Sequence, residues 1–449
     1  MKQALIAIFF IIGFGTASEG KEKQRAGVGK IDITPQGPIW MSGYASRNKP
    51  SEGVLSPLYA KALALEDGHG GRAVLVTTDL IGLPREVTDI VSAKAMEKYK
   101  LERSQLVFNS SHTHTGPVVR GNLSVLVSQQ PEFKPAVAAY TEKLKDDLLT
   151  VIGAALGDLS PAALAFDYGE QKFAANRRVI TPQGVIIGVN PNGPVDHRVP
   201  VLRVTSPNGK VKAVLFAYSC HNTTLTGEFY QLSGDYAGYA QAELERQMPG
   251  TVGLFMMLCG GDQNPSPRSK LEYAQDHGKS LGGEAVRVAR GKMPPVSGRL
   301  RTAYQLTALP FAPHTREQFE KERTDPNIFK QRRAEFMLKQ YDEHREERQL
   351  SYPVQAIRFD KGFTLFTLGG EVVVDYALWA QREWPAERLM VAGYSNDVAG
   401  YIPTARILKE GGYEPVDSMI YYGHPGPFTA EVETRIHDAL RQVKQRTTK

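Results

Sequence analysis

A chain of 449 residues is long enough for one large domain or two ordinary ones, and a 41% hydrophobic content supplies a sizeable core. The balance of 54 basic against 48 acidic residues, +6 overall, is too mild and too dispersed for a nucleic-acid binder. Only two cysteines occur, Cys220 and Cys259, so this is no disulfide scaffold; two buried free thiols at strand ends are favoured over a single bridge.

The first residues read as a signal peptide. Lys2 precedes an unbroken apolar run from Ala4 to Gly15, followed by the small residues Thr16, Ala17 and Ser18. The run is too short to span a bilayer, which takes roughly 20 apolar residues. Residues 1–18 are therefore expected to be removed from a secreted or periplasmic protein, of bacterial type.

Beyond the leader, apolar β-rich runs alternate with amphipathic helical stretches. Ala73–Thr78 predicts a buried strand, Glu86–Tyr99 a helix, Gln105–Ser110 a strand and Ala136–Leu156 a long helix. Val199–Val204 and Val211–Ser219 flank Pro207-Asn208-Gly209, whose Asn-Gly pair signals a hairpin. Tyr236–Gln247 is predicted helical, Val252–Leu258 a strand and Ala274–Arg290 a helix. Val354–Phe359 and Thr364–Leu368 should pair across Asp360-Lys361-Gly362, with a helix from Val372. Ala430–Lys444 closes the chain as another helix. The segment 315–349 is heavily charged and helical in character, with nine basic and nine acidic residues between Arg316 and Arg348. That balance points to a solvated surface excursion and away from a one-sided polybasic membrane patch. The pattern predicts an α/β fold: layered, mixed β-sheets flanked by helices, in a single large domain over residues 26–449.

The sharpest local feature is Ser111-His112-Thr113-His114-Thr115-Gly116-Pro117 after the strand ending near Ser110. Two histidines two apart on an extended backbone share a face, and Gly-Pro ends the strand there. Other strand ends repeat the pattern. Val211–Cys220 runs apolar into His221; Val252–Leu258 runs into Cys259-Gly260-Gly261-Asp262-Gln263-Asn264-Pro265; Thr364–Leu368 runs into Gly369-Gly370-Glu371. Each is a buried strand delivering a polar residue through a small-residue turn, which is where α/β folds place their sites. Three histidines and a carboxylate without thiolate suit a catalytic zinc site at the strand ends.

These motifs resemble the neutral (non-lysosomal) ceramidases across their N-terminal catalytic domain, from about Ala26 to about Phe428. Gly27-Val28-Gly29-Lys30-Ile31-Asp32-Ile33-Thr34-Pro35 looks like that family's first strand, and His112-Thr113-His114-Thr115-Gly116-Pro117 like its His-Thr-His-Ser-Gly-Pro signature. Asn176-Arg177 resembles its Asn-Arg-Ser segment. Asn396-Asp397-Val398-Ala399-Gly400-Tyr401 resembles its Asn-Asp-Tyr-x-x-Tyr segment, with Tyr413 twelve residues beyond Tyr401. The resemblance implies zinc held by His112, His221, Glu371 and Tyr401, with His114, Arg177 and Tyr413 around the scissile amide. It departs at Asn264, which stands in Gly261-Asp262-Gln263-Asn264-Pro265 where the family has a serine. Asparagine cannot accept an acyl group, so water on the zinc becomes the expected nucleophile, with Asn264 as a polar contact. The immunoglobulin-like domain that follows the catalytic domain in full ceramidases is not expected in this sequence. The implied partner is a lipid-like N-acyl small molecule, with room for peripheral contact with a membrane surface and no nucleic acid. Two other readings are a catalytically silent lipid-binding homologue and a zinc esterase. A metallo-β-lactamase-type site fits poorly, because Gly116 replaces the acid of its HxHxD.

Overall fold

The computed structural model describes residues 24–126 and 131–448. The proposed leader, residues 1–18, lies outside them. Among the described residues no helix is long and apolar enough to cross a membrane.

The strand Arg72–Thr78, buried from Ala73 onward, lies parallel to Leu106–Ser110, and the helix Arg85–Tyr99 makes the crossover between them. Tyr59–Glu66, Arg25–Asp32 and Ser160–Pro161 extend this pair antiparallel into a five-stranded sheet. A second sheet has eight strands, in the order Val252–Met257, Val211–Tyr218, Arg198–Thr205, Ala163–Glu170, Pro295–Pro310, Gln349–Lys361, Thr364–Leu368, Leu389–Ala392. Its two outermost pairs are parallel and its middle is antiparallel. The sequence pattern's mixture of crossovers and hairpins is thus sorted by position, with parallel strands at both edges.

The two sheets pack face to face. Leu63, Leu65, Leu75 and Val107 of the first meet Leu202, Leu215, Met256, Ile357 and Met390 of the second. Helices Arg85–Tyr99 and Lys134–Gly157 cover the first sheet's outer face through Val87, Val91, Leu144, Leu148 and Val151. Asp235–Gln247 and Leu271–Arg290 cover one half of the second sheet, and Asp375–Glu383 and Glu431–Arg446 the other. The outcome is a four-layer α/β domain, as the residue pattern predicts.

The Asn208-Gly209 hairpin forms, with Gly209 at φ 83°, a left-handed conformation that glycine takes without a side-chain clash. Cys220 and Cys259 are buried free thiols. Two departures and one unassigned strand have physical causes. The helix expected from Val372 begins only at Asp375, because Glu371–Val372 instead pairs in parallel with Tyr401–Ile402. Tyr59–Glu66, to which the sequence pattern assigns no element, is a buried central strand. There Lys61 is 2% exposed and satisfied by Glu245 at 2.9 Å and the Gly253 carbonyl at 2.6 Å. The charged excursion forms helices Arg316–Glu322 and Ile328–Asp342, but they are not merely solvated. Phe319, Ala334, Met337 and Leu338 close a small core of their own, tied by the Arg333–Glu322 pair.

Candidate active site

Three parallel strand pairs end on one point. His112 follows Leu106–Ser110, His221 follows Val211–Tyr218, the Gly260-Gly261 turn follows Val252–Met257, and Glu371 follows Thr364–Leu368. The two sheets are locked together at these ends by Asn109. Its amide donates to the carbonyls of Met257 (3.1 Å) and Gly393 (2.9 Å) and accepts from the Met257 amide (2.8 Å). Gly261 is required where it stands, since a Cβ there would lie 2.5 Å from the Glu371 carbonyl oxygen. The two-residue bridge that aligns Glu371 with Tyr401 delivers the phenol to the same place. His112 itself sits at φ 61°, and nearby Tyr394 and Asn396 at 50° and 65°. Such left-handed non-glycine residues are costly and gather at functional sites.

The ligand-type atoms meet. His112 Nε2 lies 3.0 Å and His221 Nε2 2.9 Å from the same Glu371 oxygen, Oε2. The Tyr401 hydroxyl is 3.1 Å from His221 Nε2, and His114 Nε2 is 3.0 Å from His112 Nε2. The other ring nitrogens of His112 and His221 face carbonyls, Ile81 at 2.6 Å and Gly260 at 2.7 Å. Those bonds place the ring protons on Nδ1 and turn both Nε2 lone pairs inward. Two lone pairs then face a carboxylate oxygen in a site where His112, His221 and Glu371 are at most 3% exposed. Acceptors crowded this way in a dry pocket call for a cation.

The charge states agree. Burial, then the nearby Arg177, pushes the His221 imidazole down to about 4, so it is neutral at pH 7. His112, His114 and His221 bring ring nitrogens within 4.8 Å of one another, a group able to bind a metal ion. Nitrogen and oxygen donors with no thiolate among them fit zinc by type.

His114 differs from the other two. Its Nδ1 is buried without a partner, against Gly43, where a Cβ would come within 2.4 Å of that nitrogen. No carbonyl holds its Nδ1, and burial followed by the two neighbouring imidazoles keeps its pKa well below 6.5. Arg177 Nη2 donates to the Tyr401 oxygen at 3.0 Å, and its Nη1 reaches Asn264 Oδ1 at 3.4 Å. Tyr413 lies with its ring 5.5 Å from that of Tyr401 and 5.6 Å from the Arg177 guanidinium. All these side chains except His112 line a chamber of about 260 Å³, together with Tyr44, Leu123, Ile187 and Tyr421.

Two residues escaped the sequence reading. The Tyr422 hydroxyl donates to Glu371 Oε1 at 2.5 Å, holding the carboxylate so that Oε2 faces the histidines. Glu414, 1% exposed, takes Arg177 Nε at 2.8 Å and also pairs with Arg178. Burial of Arg177 is compensated by Tyr401 and Glu414, which keep it charged. Tyr422 stands in the aromatic run Tyr421-Tyr422-Gly423-His424, a signal that could have found it. Glu414 has no such signal beyond its place beside Tyr413.

A sequence profile described as neutral/alkaline non-lysosomal ceramidase, N-terminal, matches residues 25–263, just over half of the chain. The chain belongs to this ceramidase family. Among curated relatives, the neutral ceramidase of Pseudomonas aeruginosa is 26% identical over 316 residues, covering 64% of this chain and 46% of that protein. Neutral ceramidase B of Dictyostelium discoideum is 25% identical over 275 residues, covering 56% and 37%. The Drosophila melanogaster neutral ceramidase is 24% identical over 294 residues, covering 59% and 38%. The sequence matches thus cover less than half the length of these ceramidases. The crystal structure of the Pseudomonas aeruginosa neutral ceramidase superposes with TM-score 0.71 at 20% identity, over 94% of this chain and 75% of that one. A structure described as ceramidase complexed with C2 gives 0.73, also at 20%, over 95% and 76%. The ceramidase fold therefore extends well past the segment matched by the family profile.

Proposed function

We propose that this chain is a zinc-dependent hydrolase that cleaves an N-acyl amide bond in a lipid-like compound. The observation that carries the reading is the inward convergence of His112 Nε2 and His221 Nε2 on Glu371 Oε2 in a buried chamber. His112, His221, Glu371 and Tyr401 would hold the ion. Zinc at that position supplies Lewis acidity toward a carbonyl oxygen and toward water.

The remaining work falls to the chain's own side chains. Arg177 and Tyr413 donate to the amide oxygen as charge develops on it, a contact typically worth about 3 kcal/mol each. His114, neutral at pH 7, takes a proton from the attacking water and passes it to the leaving amine. Asn264 accepts from Arg177 through Oδ1 and turns its amide hydrogens to the substrate. Leader residues 1–18 would direct the protein out of the cytoplasm; an exported protein whose N-terminus still begins at Met1 would overturn that.

Purified protein is expected to carry about one zinc per chain and to hydrolyse N-acyl amides faster than the matching esters. Faster ester cleavage would assign a zinc esterase instead. Asn264→Ala should slow the reaction about fivefold, the loss of one polar contact of about 1 kcal/mol. Asn264→Ser should give a comparable enzyme. The presence of asparagine in place of the family's serine favours one competing reading, a silent lipid-binding homologue. If the natural protein cleaves no amide and Asn264→Ser creates activity, that reading replaces the amidase.

A further inference from the structure

The catalytic chamber is not uniform in charge. Arg177 is neutralised by Glu414, but a second guanidinium on the chamber wall, Arg268, has no carboxylate within 4.0 Å among the described residues. Its one hydrogen bond runs from Nη2 to the Tyr44 hydroxyl at 3.3 Å, and its Nε is buried without a partner. The segment that carries it is pinned from the Ser269 amide to the Thr224 carbonyl at 2.8 Å. Asp235, the buried acid of this region, is engaged by the amides of Leu225 and Tyr236 at 2.9 and 2.6 Å.

A third arginine adds to the imbalance. Arg47 lies under the Tyr44 ring, 5.0 Å from its centroid, and spends its hydrogen bonds on the carbonyls of Ser42, His114 and Phe229. It too has no acid within ion-pairing distance among the described residues, so Tyr44 stands between two guanidiniums without a direct ion pair, the nearest acids being Glu228 and Asp235 at longer range. The Thr223 hydroxyl, also on the chamber wall, is buried and unpartnered. This cationic region has a defined place relative to the chemistry. The Tyr44 ring is 4.9 Å from that of His114, whereas Tyr413 and Tyr421 lie on the Arg177 and Tyr401 side. In the mechanism above, His114 serves the leaving amine.

We infer that the amine half of the substrate carries an anionic group, received by Arg268 beside Tyr44, and that the substrate class is an N-acyl amino acid. The inference rests on the amidase reading. Hydrolysis then consumes one water and releases a carboxylic acid and a free amino acid, with the amine taking its proton by way of His114. The acyl chain is left to the aromatic and aliphatic wall of Leu123, Ile187, Tyr413 and Tyr421. An uncharged amine half would leave Arg268 facing the chamber without a direct ion-pair partner.

The test compares N-dodecanoylglycine with its uncharged isostere N-dodecanoylglycinamide and with the sulfonate N-dodecanoyltaurine. Both kcat/KM and the equilibrium Kd are measured on zinc-loaded protein. The carboxylate is expected to be preferred over the amide by about 10- to 100-fold, the range of a charge-assisted hydrogen-bonded pair. Arg268→Gln should shrink that preference to about threefold or less, mainly through KM and Kd, with zinc content unchanged. Equal binding of the glycine and glycinamide compounds by the natural protein would overturn the inference, as would a preference that survives Arg268→Gln. Sulfonate ahead of carboxylate would overturn the amino-acid class. If none of the three is hydrolysed while a neutral N-acyl amide is, the amino-acid class is overturned and the amidase reading stands; if no N-acyl amide at all is cleaved, the amidase reading fails, while the Kd comparison still decides whether Arg268 receives an anion.

Discussion

Replacing Glu371 by Gln is expected to strip the metal and silence the enzyme. Glu371 is the one anion among the proposed ligands, and a single oxygen of it lies 3.0 Å from His112 Nε2 and 2.9 Å from His221 Nε2. Glutamine keeps the shape but removes the charge that balances a divalent ion, and it can turn an N–H donor toward the two lone pairs. Amide hydrolysis should fall by about 10³-fold or more, given several kcal/mol of lost charge stabilisation. Zinc measured on the purified variant should fall well below one per chain. Tyr422→Phe provides a graded comparison. It leaves the ligands intact and frees Glu371 Oε1, so zinc affinity should drop about 10- to 100-fold, as for loss of an outer-shell partner. Full zinc occupancy in Glu371→Gln would remove the carboxylate from the ligand set and with it the site as proposed.

His114→Ala should separate chemistry from metal binding. Its Nε2 is only 3.0 Å from His112 Nε2, close enough to be taken for a ligand. The difference lies in the far side of each ring. The Nδ1 atoms of His112 and His221 are engaged by carbonyls, which is how a metal-bound imidazole is oriented, whereas that of His114 has no partner. A ring not tied to a carbonyl through Nδ1 suits a shuttle. The alanine variant is expected to keep zinc near one per chain while activity falls by roughly 10²-fold or more. Loss of zinc along with activity would make His114 a ligand and leave the proton transfer without an agent.

Much of this site was legible because its residues are announced locally. His112, His221 and Glu371 each end a buried apolar strand at a turn of small residues, and a strand's alternation tells which side chains will share a face. The layers were legible for the same reason: Arg72–Thr78, Val211–Tyr218 and Thr364–Leu368 can only be interior strands. What stayed hidden depends on contacts between distant segments. Lys61 looks like a surface residue until Glu245, far along the chain, arrives to satisfy it. Pro295–Pro310 opens with a proline, contains Gly298 and mixes arginine with threonine. It becomes a 16-residue strand because Gln349–Lys361 pairs along most of it. Glu414 and Arg268 follow the same rule. Their meaning lies in which charges face them, and no local pattern encodes that.

The short bridge joining Glu371–Val372 to Tyr401–Ile402 also fixes when the proposed site can exist. His112, His114, Arg177 and His221 fall within the first 263 residues, but the carboxylate, the phenol of Tyr401 and the Tyr422 hydroxyl come from the last 80 or so. A nascent chain emerging in order would display its imidazoles long before it owned an acid to set against them. Pairings this far apart in sequence form slowly, since a long loop must close before any contact rewards it. Chemistry therefore begins only with the completed fold, and a chain broken before Tyr422 would carry half a site.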